Sequence, residues 1–138
     1  VAYRARAGID PATVSLAVVV QRLVDADAAG VLFTANPANG RRDEAVVNAA
    51  FGLGEAVVGG EVTPDEIVVA GDAVLTRTTA EKRVRTVLAS GGTATAAVAA
   101  GQRRVPVLTD AQAVALADLG SRVAVAHTHL TLPTTREG

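Results

Sequence analysis

The chain has no cysteine, methionine or tryptophan, and its only aromatic residues are Tyr3, Phe33 and Phe51. Without cysteine there can be no disulfides and no thiolate metal ligands, which fits a reducing compartment; a cytoplasmic location is the expectation. With so few aromatics, bases have almost nothing to stack on, and the core must be assembled from Val, Ala and Leu. No basic run exceeds two residues and the net charge is −1. That balance argues against nucleic acid and against a polybasic membrane anchor. No apolar run reaches the roughly 18 residues of a membrane span, and Val1-Ala-Tyr-Arg has no signal-peptide apolar region. Lys82 stands alone against twelve arginines, so the mobile lysine that often grips phosphate has one candidate here. A length of 138 residues suits one domain or part of one and is short for a two-substrate enzyme. With no initiator methionine as well, an internal piece of a longer protein is expected.

Against these absences stand two glycine-rich segments at strand ends, Phe33-Thr-Ala-Asn-Pro-Ala-Asn-Gly40 and Ala50-Phe-Gly-Leu-Gly-Glu55-Ala-Val-Val-Gly-Gly60. Glycine tolerates positive φ and has no Cβ, so backbone amides in such turns can approach an anion closely. A phosphate ligand is the first expectation. Leu16 to Val24 is a β-branched run turning polar at Gln21, the pattern of a strand buried on both faces. Gly30–Ala35 and Ala45–Ala50 read as strands. Glu55-Ala-Val-Val starts a helical turn. Glu66–Ala70 and Ala73–Thr78 flank Gly71-Asp72 as a hairpin with a primed turn. Arg83–Leu88 alternates as a half-exposed strand extending the same sheet, with Thr93 to Gly101 an Ala-rich linker after it. Thr109-Asp-Ala-Gln112 is a capping box opening a helix from Asp110 to Ala126, with one buried face of Leu116, Leu119 and Val123 beside small Ala113, Ala117 and Gly120. Beyond Thr128 neither period continues, and residues 128–138 are expected to be disordered. The class is α+β, strand-rich with a mixed sheet and a C-terminal helix.

Candidate chemistry concentrates near the glycines. Gly52-Leu-Gly54 has Val57 where the dinucleotide fingerprint needs a third glycine, and no Gly-Lys-Ser/Thr follows, so both familiar phosphate motifs fail. A tight turn packed on a neighbour explains the pair equally well. The Glu55 carboxylate is placed either to meet a phosphate-bound Mg²⁺ or to complement a helix N-terminus. Gln21, at the end of an apolar strand, is either a solvated strand end or must find a partner or line a cavity, because an unpaired buried amide costs about 1–3 kcal/mol. Asp25 and Asp27 read as a solvated turn. His127 and His129 lack a third ligand at zinc spacing. Lys82, Arg83 and Arg85 read as an exposed strand face, and Arg103-Arg104 as a surface step.

The ordered segments Ala17–Val24, Gly30–Gly40, Gly52–Gly60 and Val62-Thr-Pro-Asp-Glu66 together resemble the ATP-binding domain of phosphoenolpyruvate synthases, pyruvate phosphate dikinases and rifampicin phosphotransferases. The resemblance covers residues 1–127 and implies part of an ATP-grasp lobe with ATP and Mg²⁺ as cofactors. It implies that Gln21, Arg22, Leu23 and Val24 form the hinge along the adenine edge, and that Gly54 and Glu55 border the phosphates, with Glu55 the metal contact. Thr34 and Pro37 would shape the adjoining wall. Members of the family pass a phosphoryl group from ATP to a histidine on a separate swivelling domain, and from there to pyruvate, water or a drug hydroxyl.

The partners implied are a nucleotide, an N-terminal lobe carrying the phosphate-binding lysine, and the phosphohistidine domain. No catalytic residue is assigned within this chain. Gly52-Leu-Gly-Glu55 replaces the Gln-Gly-Glu-Asp turn usual in the dikinases, so a phosphoenolpyruvate synthase-like or rifampicin phosphotransferase-like parent fits better. After His127 the sequence departs from the family pattern, and the tail is expected to be foreign to it. The alternative is a non-catalytic scaffold or interaction fragment that keeps the fold without binding nucleotide.

Overall fold

A computed structural model describes residues 15–129. Four strands form one antiparallel sheet in the order β1-β2-β3-β4: β1 (Ala28–Phe33), β2 (Glu44–Phe51), β3 (Asp65–Ala70) and β4 (Ala73–Thr78). A separate antiparallel pair is made by β5 (Val84–Ala89) and β6 (Gly92–Ala97). The short helix α1 (Glu55–Val58) follows β2, and the long helix α2 (Asp110–His129) closes the order. The α+β class with a C-terminal helix therefore holds. The strand ladders are antiparallel, and the parallel element is an isolated bridge between Gly52 and Thr86.

The core follows from register. Leu32, Val47 and Ile67 lie opposite one another on β1, β2 and β3, so their side chains share one face of the sheet. That face packs with Val69 against Ala113 and Ala117 of α2. Small residues let the helix lie close: a Cβ added at Gly120 would stand 2.0 Å from Leu32 Cδ2. The buried face of α2 is thus its Ala/Gly stripe, and the expected packing of Leu116, Leu119 and Val123 is corrected, since all three are exposed. The stripe wins because small side chains bring the helix backbone down onto the sheet, which turns the larger residues outward. The capping box is present in both directions. Gln112 N–H donates to Thr109 Oγ1 at 3.2 Å and Thr109 N–H to Gln112 Oε1 at 2.9 Å. Arg77 of β4 donates to the Leu108 carbonyl at 2.9 Å and pairs with Asp110, pinning the start of α2 to the edge strand.

Three further expectations change. Leu16 to Val24 forms no strand, and Val20 is 93% exposed. β-propensity alone does not make a strand, because its backbone groups need a ladder, and none of the described strands pairs with this run. Of the expected linker from Thr93 to Gly101, the stretch through Ala97 belongs to β6, since Gly91 takes positive φ and turns the chain back along β5. Arg83–Leu88 accordingly pairs with β6 and does not extend the first sheet. The hairpin at Gly71-Asp72 is as expected, with Gly71 at φ +61. α2 runs through His129; residues 130–138 of the expected disordered tail lie outside the described residues.

Lys82 is not on an exposed face. Its ammonium donates to Asp65 Oδ1 at 2.6 Å and to the Ala80 carbonyl at 2.9 Å. Both side chains of the pair are fully buried. The ammonium also stands 5.6 Å from the centroid of the Phe51 ring, within cation–π range. Asp65 accepts two backbone amides as well, Ala80 N–H on Oδ1 at 2.9 Å and Val107 N–H on Oδ2 at 2.8 Å. Replacing Asp65 by Ala would leave an unpaired buried ammonium and two unmatched amides. Asp65→Ala is predicted to lower unfolding free energy by about 3–5 kcal/mol in chemical denaturation, and Lys82→Met by less, because the carboxylate then keeps both amide donors.

Candidate functional site

The two glycine-rich segments have different fates. In the first, Asn36 Oδ1 accepts from Ala38 N–H at 3.0 Å and Asn39 Oδ1 from Arg41 N–H at 2.9 Å, two Asx turns in succession. Gly40 N–H donates to Asn36 O and Asn36 N–H to Arg41 O. Glu44 at the start of β2 ties the loop down, its Oε2 accepting from Asn36 Nδ2 at 2.7 Å and Asn39 Nδ2 at 3.1 Å. These donors serve the turn itself, which corrects the expectation that amides here cradle an anion. The Asn36 amide, then that of Asn39, holds the Glu44 carboxyl below its ordinary value against the opposing effect of desolvation. A carboxyl depressed in the folded state contributes stability above its unfolded pKa and loses it as pH falls through the folded value. Protection of the Ala38 and Gly40 amides, taken relative to their intrinsic exchange, is predicted to be lost as acidification carries Glu44 through its depressed folded-state value. Glu44→Gln should abolish that acid step, leaving exchange insensitive to carboxyl titration.

In the second segment, Gly52 N–H donates to the Asp27 carbonyl and Leu53 N–H to the Thr86 carbonyl, both at 2.8 Å. The turn is thereby docked onto β5. Gly52 sits at φ +82, and a Cβ there would meet Thr86 O at 2.3 Å. The packed-turn explanation accounts fully for this glycine. Gly54 differs. It has helical φ of −73, and an added Cβ would make only an ordinary 3.4 Å contact with Ala29 Cβ. Neither backbone strain nor crowding requires glycine at position 54.

Gly54 opens instead onto a cleft of about 390 Å³. Gln21, Arg22, Leu23 and Val24 form one wall, Leu53, Gly54 and Glu55 the other, and Ala26, Ala29 and Thr93 complete it. Size and lining suit a small polar ligand with one apolar face: Leu23, Val24, Ala29 and Leu53 supply hydrocarbon, and Gln21, Arg22, Glu55 and Thr93 supply polar groups. Glu55 is exposed, with Oε1 accepting from Thr93 Oγ1 at 2.6 Å. Among the described residues no three His, Cys, Asp or Glu side chains cluster as a metal site. Mg²⁺ on a nucleotide commonly takes one or two protein carboxylates, its other ligands being phosphate oxygens and waters, and Glu55 fits that single-carboxylate share.

Six of the eight residues singled out from the sequence therefore line one cleft: Gln21, Arg22, Leu23, Val24, Gly54 and Glu55. Thr34 and Pro37 do not. Ala29 is in the cleft near one end of β1, while Thr34 follows the other end, about 17 Å away along an extended strand. Thr34 borders a shallow apolar groove with Leu116, Leu119 and Gly120, and Pro37 is exposed on the Asn36–Gly40 turn. Thr93 escaped sequence reasoning because Ala-rich surroundings hid its strand. The Gly91-Gly92 step was the signal for a hairpin that would return it to the turn.

The chain matches the pyruvate phosphate dikinase AMP/ATP-binding domain family over residues 1–130, and it belongs to that family. It is 49% identical over 124 residues to a rifampicin phosphotransferase of Streptomyces sviceus, covering 89% of this chain and 14% of that protein. It is 41% identical over 130 residues to a probable phosphoenolpyruvate synthase of Pyrococcus abyssi, covering 88% of this chain and 16% of that protein. A rifampicin phosphotransferase of Bacillus subtilis is 37% identical over 124 residues, covering 89% and 14%. The chain thus spans about a seventh of the length of these relatives. Among the described residues no helix is long and apolar enough to cross a membrane.

The two glycines should separate experimentally. Gly52→Ala is predicted to cost upward of about 1–2 kcal/mol in thermal or chemical unfolding, from left-handed strain and the clash with Thr86 O. Gly54→Ala should leave stability within about 0.5 kcal/mol of the parent.

Proposed function

We propose that the cleft between residues 21–24 and 53–55 receives ATP, and that the chain is the nucleotide-binding portion of an ATP-dependent phosphotransferase. The observation that carries this reading is the convergence of Gln21–Val24 with Leu53–Glu55, segments some thirty residues apart in sequence, around one cleft. Membership of an AMP/ATP-binding domain family supports it. In this reading the hydrocarbon of Leu23, Val24 and Leu53 covers a purine face and the Gln21 amide meets the purine edge. Gly54 lets phosphates pass close to the backbone, Arg22 offsets their charge, and Glu55 contacts their Mg²⁺. The metal neutralises phosphate charge, and the protein's share is positioning and electrostatic complementarity.

In the parent enzyme the phosphoryl group would go to a histidine of a separate swivelling domain, and from there to pyruvate or to a drug hydroxyl. Relatives named for both outcomes match this chain, so the nucleotide step is the part common to them.

Titrating Mg·ATP into the isotopically labelled chain and following amide resonances tests the site. Shifts are expected at Gln21–Val24 and Leu53–Glu55. Gln21→Ala should weaken binding about fivefold, the effect of one lost hydrogen bond, and Gly54→Ala should weaken it without loss of fold. Unchanged spectra at millimolar Mg·ATP would instead favour the scaffold that keeps the fold and binds no nucleotide.

A further inference from the structure

Thr93 is the second residue of β6 and pairs with Leu88 of β5 across the hairpin. Its hydroxyl makes the one side-chain hydrogen bond among the described residues that joins this hairpin to α1, donating to Glu55 Oε1 at 2.6 Å. Both residues border the same cleft. Glu55 is exposed on a helix of four residues, so its flexible side chain would otherwise sample several rotamers, an entropy that binding would have to remove. A threonine in a strand is well suited to hold it, because branching at Cβ restricts χ1 and presets the direction of the hydroxyl. The backbone behind it is fixed as well: Thr86 of β5 accepts the Leu53 amide, so the hairpin and the Gly52–Glu55 turn are one docked unit. Oε1 is engaged, and no donor among the described residues reaches Oε2.

We propose that Thr93 is a positioning residue of the nucleotide site, holding Glu55 so that Oε2 faces a divalent cation carried on the phosphates of a nucleoside triphosphate. The inference rests on the ATP reading of the cleft. It assigns a role to the β5–β6 hairpin, which supplies the second sheet's contribution to a site otherwise lined by residues 21–26, Ala29 of β1 and the turn after β2.

The test measures affinity of the full 138-residue chain for ATP by calorimetry, with Mg²⁺ and with chelator, for the parent, Thr93→Val, Thr93→Ser, Glu55→Gln and the double variant Thr93→Val/Glu55→Gln. Thr93→Val should weaken Mg·ATP binding about fivefold, as expected for a charge-assisted hydrogen bond at an exposed site, while metal-free affinity stays unchanged. Thr93→Ser should restore it, and Thr93→Val should add nothing once Glu55 is Gln, the non-additivity of a coupled pair. Parental affinity in Thr93→Val, an equal loss with and without Mg²⁺, failure of Thr93→Ser to rescue, or full additivity with Glu55→Gln would each overturn the positioning role while leaving the site standing. No ATP binding by the parent chain would overturn the site itself, and the role of Thr93 with it.

Discussion

The buried Asp65 carboxylate is the point from which the arrangement of the two sheets follows. Its oxygens take the Lys82 ammonium and the amides of Ala80 and Val107, so one side chain of β3 holds the link between β4 and β5 and the approach to α2. Lys82 N–H in turn donates to the Arg103 carbonyl at 2.8 Å. A buried ion pair of this kind contributes little net stability compared with a well-packed apolar pair, because desolvation offsets attraction. Its effect is on position: with every polar atom satisfied and both charges out of water, the segment from Ala80 to Lys82 has one place to be. β5 starts two residues later, and Thr86 therefore arrives where it can bridge Gly52.

That geometry carries through to the cleft. Phe51, under the Lys82 ammonium, is the last residue of β2, and the chain turns immediately at Gly52. The close approach of Gly52 to Thr86 excludes a Cβ and fixes where Leu53, Gly54 and Glu55 emerge. β6 then returns Thr93 to Glu55. The site-bordering residues of the second wall are thus set by a chain of contacts beginning at a carboxylate that lines no part of the cleft.

Local patterns in the sequence were legible where local physics decides the outcome. The Thr109/Gln112 box, the Gly71-Asp72 hairpin and β2 all follow from short-range signals, and each is present. The misreadings share a different cause. Lys82 looked exposed because its neighbours alternate with polar residues, and only the tertiary position of Asp65, seventeen residues away, buries it. Leu116, Leu119 and Val123 looked buried because leucine normally outranks alanine in a core. The sheet chose the flatter stripe of Ala113, Ala117 and Gly120, which permits a closer approach than larger side chains allow. At the cleft, six of the ten lining residues are among those singled out from the sequence, whereas Thr93 is not, since its contact with Glu55 spans 38 positions and depends on a hairpin turn.

The exposed run from Leu16 to Val24 bears on how such a site works. Its apolar side chains face water without a ladder among the described strands, yet Gln21–Val24 still lie against Leu53–Glu55. One wall of the cleft is consequently held by a braced turn and the other by a segment with few restraints of its own. A ligand bridging the two would gain contacts only by ordering the looser wall, so part of its interaction free energy goes into that ordering. Affinity for such a ligand would depend on how far the Leu16–Val24 segment is held in place before the ligand arrives, in addition to the polar groups that the cleft presents.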